Sequence, residues 1–327
     1  MTTPSPVGGA PDTHVPAEQL FTEFEAADIP PPDLDDGVAV REGKELKRGQ
    51  LRDIWRRYRK NKLALVGLGI VAVLLLIAIF EPILTPYDPY EQNLANTRQP
   101  PDAEHWFGTD TLGRDLFSGI LFGTRLAMIV GVSVVLLSLI VGVAAGAVAG
   151  YRGKAIDSLI MRTTDVFLAF PYLIGAILVV RIVGDSVTGV ILALAVLAWP
   201  TTARLMRGQV LALRESEYVE AARSVGASDT RIVIRHILPN AIAPVLIYAF
   251  TAIGVAVVAM ASLAFLGVGV PADTPEWGRL INNALPYLRQ DGMTYMWLSP
   301  SLAIVLTTLG FAFVADGLRD SLDPKLR

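Results

Sequence analysis

The chain has 327 residues, 52% of them hydrophobic and 18% charged, with a mean hydropathy of +0.47 and a net charge of -3. Soluble domains carry roughly 25% charged residues, so the composition points to a membrane protein. The charge balance leaves no footprint for nucleic acid, and the absence of cysteine excludes disulfides, thiolate metal sites and a cysteine nucleophile.

Residues 1–45 hold Pro4, Pro6, Pro11, Pro16 and the run Pro30-Pro31-Pro32, followed by Asp33, Asp35 and Asp36. With few large apolar side chains, such a segment cannot offset its ordering entropy, and it reads as a disordered acidic tail with at most a short helix over 18–27. No basic region followed by an apolar core begins the chain, so the N-terminus is expected to stay in the cytoplasm uncleaved. Over 46–62 the character reverses. Leu51, Ile54, Trp55 and Tyr58 share one helical face among Arg52, Arg56, Arg57, Arg59 and Lys60, the pattern of an amphipathic helix lying against membrane lipid.

Six apolar stretches follow. The first spans 63–81 and is expected to end at Glu81-Pro82. Residues 82–124 read as an external loop, in which Asp110, Arg114 and Asp115 stabilise a turn and an external helix. The second span covers Leu126 to Gly150, where Gly142, Gly146 and Gly150 place small residues on one stripe for close helix packing, with the neighbour left open between this chain and a partner. The third covers Val166 to Val183 through Pro171, the fourth Val187 to Ala203, the fifth runs from beyond Pro239 to Phe265, and the sixth covers Leu298 to Ala315, before a short tail over 317–327. Basic residues favour the cytoplasmic side of short loops. Arg152, Lys154 and Arg162, the run from Arg204 to Arg235, and the tail from Arg319 all fall on one side, which places both termini in the cytoplasm.

Between the fourth and fifth spans, residues 214–240 form a polar island. Ser216 can cap a helix whose first turn holds Glu217, Gly226 stops that helix in a left-handed conformation, and Ser228 with Asp229 can cap a second helix running to Pro239. Ala221 and Ala222 leave a surface of low bulk beside Glu220 and Arg223, open to close approach by another protein. The order Glu220-Ala221-Ala222, Gly226, Leu238-Pro239 resembles the EAA motif of binding-protein-dependent ABC importer permeases, with His236 standing where the pattern has an aliphatic residue. The segment HWFGTDTLGRDLFSGILFGTRLA from His105 resembles the stretch before the core helices in the dipeptide and oligopeptide branch, and the resemblance runs to about Lys325.

That resemblance implies an all-α membrane protein with six transmembrane helices, the type I importer fold and a cytoplasmic coupling helix in a five-helix core over 125–316. It implies a multi-pass permease in the cytoplasmic membrane, a homologous second permease, ATPase subunits carrying ATP and Mg, and an extracytoplasmic substrate-binding protein. Tyr218, Glu220, Ala221, Ala222 and Arg223 would meet the ATPase, with Gly226 fixing the elbow and Leu238 and Pro239 closing its second helix. The cargo would be dipeptides or oligopeptides, or alternatively nickel complexes. No phosphate loop, nucleophile elbow or zinc-binding helix occurs in the chain, so ATP hydrolysis would belong to a separate subunit. An ion-coupled secondary transporter is the rival class, disfavoured because ionisable residues in the spans, such as Asp165, Arg181 and Asp316, lie near their ends.

Overall fold

A computed structural model of the chain describes residues 52–322. The acidic tail over 1–45 with its helix at 18–27, the start of the basic helix and the last residues of the C-terminal tail lie outside the described residues. Among them every regular element is a helix, joined by loops, and an isolated bridge pairs Thr109 with Asp115. Five helices are long and apolar enough to cross a membrane, or six segments if one sharply bent pair counts as a span.

Residues 52–58 form helix α1, and α2 covers Lys62–Leu84. The basic helix expected through residue 62 therefore breaks, because the Asn61 side chain accepts the Ala64 amide at 3.1 Å and starts a new helix. Tyr58 is buried, whereas Trp55 from the same expected apolar face is 49% exposed and stacks on the Tyr58 ring. Glu81-Pro82 does not end α2. The proline removes one backbone bond near a terminus, and Thr85 closes the end with its amide and hydroxyl on the Glu81 carbonyl. Glu81 is itself buried and accepts Arg125 Nη1 at 3.0 Å, an ion pair the sequence reading did not single out.

Helix α3 covers Leu116–Arg152 and starts ten residues before the expected Leu126. Asp115 is the reason: one carboxylate oxygen accepts the Ser118 amide at 2.7 Å, and the other faces His105 Nδ1 at 2.9 Å. Asp110 accepts the amides of Leu112 and Arg114 at 2.8 and 2.9 Å, and Arg114 Nη1 donates to the Asp273 carbonyl at 2.6 Å. The expected turn is thus present, with all three charged residues buried.

The third expected span is two helices, α4 over Lys154–Ala169 and α5 over Tyr172–Val183, bent by 92°. Pro171 lacks an amide donor and drives Phe170 into the extended region, which breaks the helix. Helix α6, Val187–Leu213, runs past the expected end at Ala203. Then come α7 over Glu217–Ser224, α8 over Asp229–Ile232, a π-helical turn over Val233–Ile237, and α9 over Leu238–Phe265. Between the fifth and sixth apolar stretches lies α10, Trp277–Ala284, and α11 covers Thr294–Leu322, so the expected tail from 317 is helical to Leu322.

The glycine stripe of α3 meets α6 of this same chain. A Cβ on Gly142, Gly146 or Gly150 would lie 2.5 Å from Thr202 Cβ, 2.8 Å from Met206 Cβ or 2.8 Å from Val210 Cβ, so only glycine admits this approach. Outside the packed interior, the helices present an apolar sheath that includes Ile79, Ile140 and Ile182. Such a surface is suited to lipid.

Candidate functional site

The polar island is a compact elbow at the foot of the α3–α6 stem. Glu217 and Glu220 lie in the first turn of α7, where the helix dipole favours carboxylates. Ser216 and Ser228 occupy N-cap positions without capping through their side chains; the Ser216 hydroxyl instead donates to the Leu213 carbonyl at 2.6 Å. At the other end of α7, Gly226 has φ +81. Its amide donates to the Arg223 carbonyl at 3.0 Å and the Ala227 amide to the Ala222 carbonyl at 3.1 Å, the paired bonds of a left-handed helix stop. No atom lies within 4 Å of where a Cβ would sit, so backbone conformation and not space calls for glycine.

The two faces of α7 are distinct. Val219 is fully buried and Ala222 is 9% exposed; both pack with Ala147, Met206, Ile232 and Ile237. Burying a side chain the size of Val219 contributes about 1.5–3 kcal/mol. Residues three apart share a helix face, which is why these two turn inward together. Ala222 is therefore part of the packing beneath the elbow and does not belong with the outward residues Tyr218, Glu220, Ala221 and Arg223, all of which are exposed.

Pro239 does not terminate a second helix. The π turn widens the backbone so that the Leu238 amide reaches the Val233 carbonyl five residues back, which makes room for the Pro239 ring near the Arg235 carbonyl. Asn240 Nδ2 satisfies the His236 carbonyl at 2.7 Å. Leu238 is half-buried and Pro239 exposed. The result is one helical rod from Asp229 to Phe265, 37 residues long, that leads from the elbow into the fifth apolar segment.

Polar contacts fasten the elbow to its stem. The Tyr151 hydroxyl donates to Asp229 at 2.7 Å, and Arg214 Nη1 donates to the Gly150 carbonyl at 3.2 Å. Arg207 holds Asp157 with two bonds of 2.5 and 2.6 Å, and Arg204 pairs with Asp165, so α4 is tied to α6 twice. These arginines were expected in cytoplasmic loops, yet Arg204 and Arg207 are helical and paired. None of these contacts has a sequence signature, since their partners lie 39 or more residues away. The inward turn of Ala222, by contrast, was available from its spacing to Val219.

A bundle of long apolar helices carrying a polar elbow on one end defines a multi-pass helical membrane protein. Residues 142–327, which contain the elbow and most of its stem, match the family model described as binding-protein-dependent transport system inner membrane component, and the chain belongs to that family. Residues 49–101 match the N-terminal TM domain of oligopeptide transport permease C. Among relatives, the dipeptide transport system permease protein DppC of Alkalihalophilus pseudofirmus is 43% identical, with 84% of this chain and 90% of that protein covered. The oligopeptide transport system permease protein OppC of Bacillus subtilis is 40% identical, with 84% and 90% covered. The glutathione transport system permease protein GsiD of Salmonella typhimurium is 42% identical, with 84% and 91% covered. A solved structure of the MetNI methionine ABC transporter in inward-facing conformations aligns with a TM-score of 0.46 at 18% identity, over 60% of this chain and 94% of that one.

Proposed function

We propose that the chain is the permease subunit of an ABC importer that carries dipeptides or short oligopeptides across the cytoplasmic membrane, powered by ATP hydrolysis on partner subunits. The observation that carries the coupling is the continuity of the elbow. An exposed helix, α7, turns through a fixed left-handed glycine into a single rod that enters the membrane-crossing bundle. Support for the cargo comes from the relatives named for dipeptides, oligopeptides and glutathione, the last itself a short peptide.

In this reading, Tyr218, Glu220, Ala221 and Arg223 seat in a groove of an ATPase subunit that binds ATP and Mg. Closure of the ATPase pair pulls α7, and the rod tilts about its packing with α6. Packed helices switch between discrete arrangements, so a small displacement at the elbow selects between two states of the bundle. A homologous second permease encloses the pathway, a binding protein delivers peptide from outside, and both termini face the cytoplasm, as the basic residues near the span ends suggest.

The test is reconstitution of the chain with its permease, ATPase and binding-protein partners in vesicles, reading uptake of a labelled dipeptide. Uptake that requires ATP and the binding protein is expected. Uptake that follows an ion gradient and persists without the ATPase would overturn the proposal.

A further inference from the structure

The break between α4 and α5 lies at membrane depth. Helices α5 and α6 are joined by residues 184–186 alone and pack back along each other: a Cβ on Gly189 would meet the Gly184 carbonyl, and one on Gly175 would lie 3.1 Å from Leu197 Cδ1. Two routes measure the distance from that joint to the break. Helix α5 contributes 12 residues, about 18 Å at 1.5 Å per residue. The Phe167 ring, just before the break, meets Trp199 at 5.6 Å, and Trp199 is the twelfth residue after Val187, again about 18 Å. A bilayer core is roughly 30 Å thick, so the break falls well inside it.

This chain does not cover the break. Ala169, Phe170 and Pro171 are all exposed, Phe170 by 57%. Among the described residues, nothing bonds the carbonyls of Phe167, Leu168 and Ala169, because Pro171 has no amide to give and α5 turns away. Nothing accepts the amides of Tyr172, Leu173 and Ile174 either, since Pro171 at the N-cap offers no side-chain acceptor.

Unpaired backbone groups do not face hydrocarbon; at such depth they are buried in protein or line a water-filled cavity. The break is therefore no part of the lipid-facing sheath. Phe170 and Pro171 are both extended, with φ -81, ψ 136 and φ -59, ψ 123. The free groups thus flank a short extended segment, comparable to the edge of a sheet. An edge of that kind binds another peptide through its main chain, with little regard to side chains. A carrier of peptides of differing sequence needs a wall that bonds to what all of them share.

We propose that the α4–α5 break forms part of the wall of the aqueous pathway and that its free carbonyls and amides bind the main chain of the peptide in transit. Phe170 is the side chain that borders this stretch. The assignment rests on the peptide-import reading.

A first experiment asks what faces the break. The complete complex, built with partner subunits that lack reactive cysteines and reconstituted in vesicles, is treated with a charged thiol reagent on both sides. Phe170→Cys is compared with Ile140→Cys. Ile140 is 68% exposed on α3, two residues from Gly142, which packs on Thr202 at nearly the depth of Trp199. Only a hydrated thiol ionises and reacts, so Phe170→Cys should be modified at least about tenfold faster. Equally slow modification of the two would overturn the proposal, whether lipid or the second permease covers the break.

A second experiment asks whether the break holds the peptide's main chain. Uptake of labelled Ala-Phe is measured beside that of its ester analogue, in which oxygen replaces the peptide N–H, both at saturating binding protein. Pro171→Ala supplies the missing amide to the Phe167 carbonyl. The ratio of amide to ester uptake should fall about fivefold from wild type to Pro171→Ala, the worth of one hydrogen bond, and the binding protein's own preference cancels in that comparison. Slower uptake with an unchanged ratio would overturn the contact and leave the bend a matter of shape. Absence of any ATP-dependent uptake by the wild type would instead count against the import reading, since thiol modification at position 170 still reports whether the break meets water.

Discussion

The hydroxyl of Tyr151, in the last turn of α3, donates to the carboxylate of Asp229 at the first residue of the rod at 2.7 Å. The stem and the elbow are thereby joined at the point where the chain leaves α7, 78 residues on from Tyr151. Tyr151→Phe removes this bond, which at an exposed position is worth about 0.5–1.5 kcal/mol, together with the contact of the same hydroxyl to the Arg223 side chain. The expected outcome is a full-length, folded complex whose ATP hydrolysis is retained and whose uptake per ATP hydrolysed falls. Unchanged coupling would show that the rod is guided by packing only.

Gly226 should tolerate side chains according to how well they accept a positive φ. With open space around the position, the cost is backbone strain, about 1–2 kcal/mol for a branched residue. Gly226→Val is expected to abolish uptake with the complex still in the membrane, and Gly226→Asn to retain a substantial part, because asparagine visits this region readily. Equal uptake by the two variants would remove the elbow angle from the mechanism.

The stem offers a contrast between two glycines. Gly146→Val would force a side chain against Met206 and the Ala203 carbonyl, an overpacking cost of about 1–3 kcal/mol, and should lower the melting temperature of the purified protein. Gly208, on α6, has nothing within 4 Å of a Cβ, so Gly208→Ala should raise it slightly, by about 0.5–1 kcal/mol of helix propensity. A thermal scan in one detergent compares both directly.

Asp110 holds the turn that precedes α3. Asp110→Ala leaves the Leu112 and Arg114 amides without their acceptor, at a cost of about 1–3 kcal/mol, whereas Asp110→Asn keeps one. Burial raises the Asp110 pKa above its ordinary 3.8, against the pull of the Arg114 and Leu112 amides and the Arg114 charge. A raised folded-state value means the group's contribution is complete below 3.8 and is lost as pH rises from there through the folded-state pKa. The decline with rising pH should be shallower in Asp110→Asn than in wild type.

The sequence exposed what depends on local chemistry and concealed what depends on distant partners. Asp110 and Asp115 at a turn, the glycine at 226 and the periodic stripe of Gly142, Gly146 and Gly150 could all be read, because each states its requirement within a few residues. The lengths of the spans could not. Apolar runs mark only the lipid-facing part of a helix, so the polar ends of α3 and α6, where Asp115 caps one and Arg207 pairs with Asp157 on the other, went unread. Pro82 and Pro239 looked like stops, yet one sits near a helix end and the other follows a π turn that absorbs it. Pro171 looked compatible with a straight span and instead makes a 92° bend.

The two adjacent alanines of the elbow give the most direct test of coupling, and the native chain has no cysteine to interfere. Ala221→Cys and Ala222→Cys are each assembled with the ATPase and treated with a short bifunctional thiol reagent, using ATPase subunits that carry single cysteines along their permease-facing groove. Ala221, exposed on α7, should cross-link to the ATPase, and Ala222, packed against Val219 and Ile232, should not. Failure of position 221 to cross-link in an assembled complex, or cross-linking from 222 alone, would contradict the placement of the outer face of α7 against the ATPase.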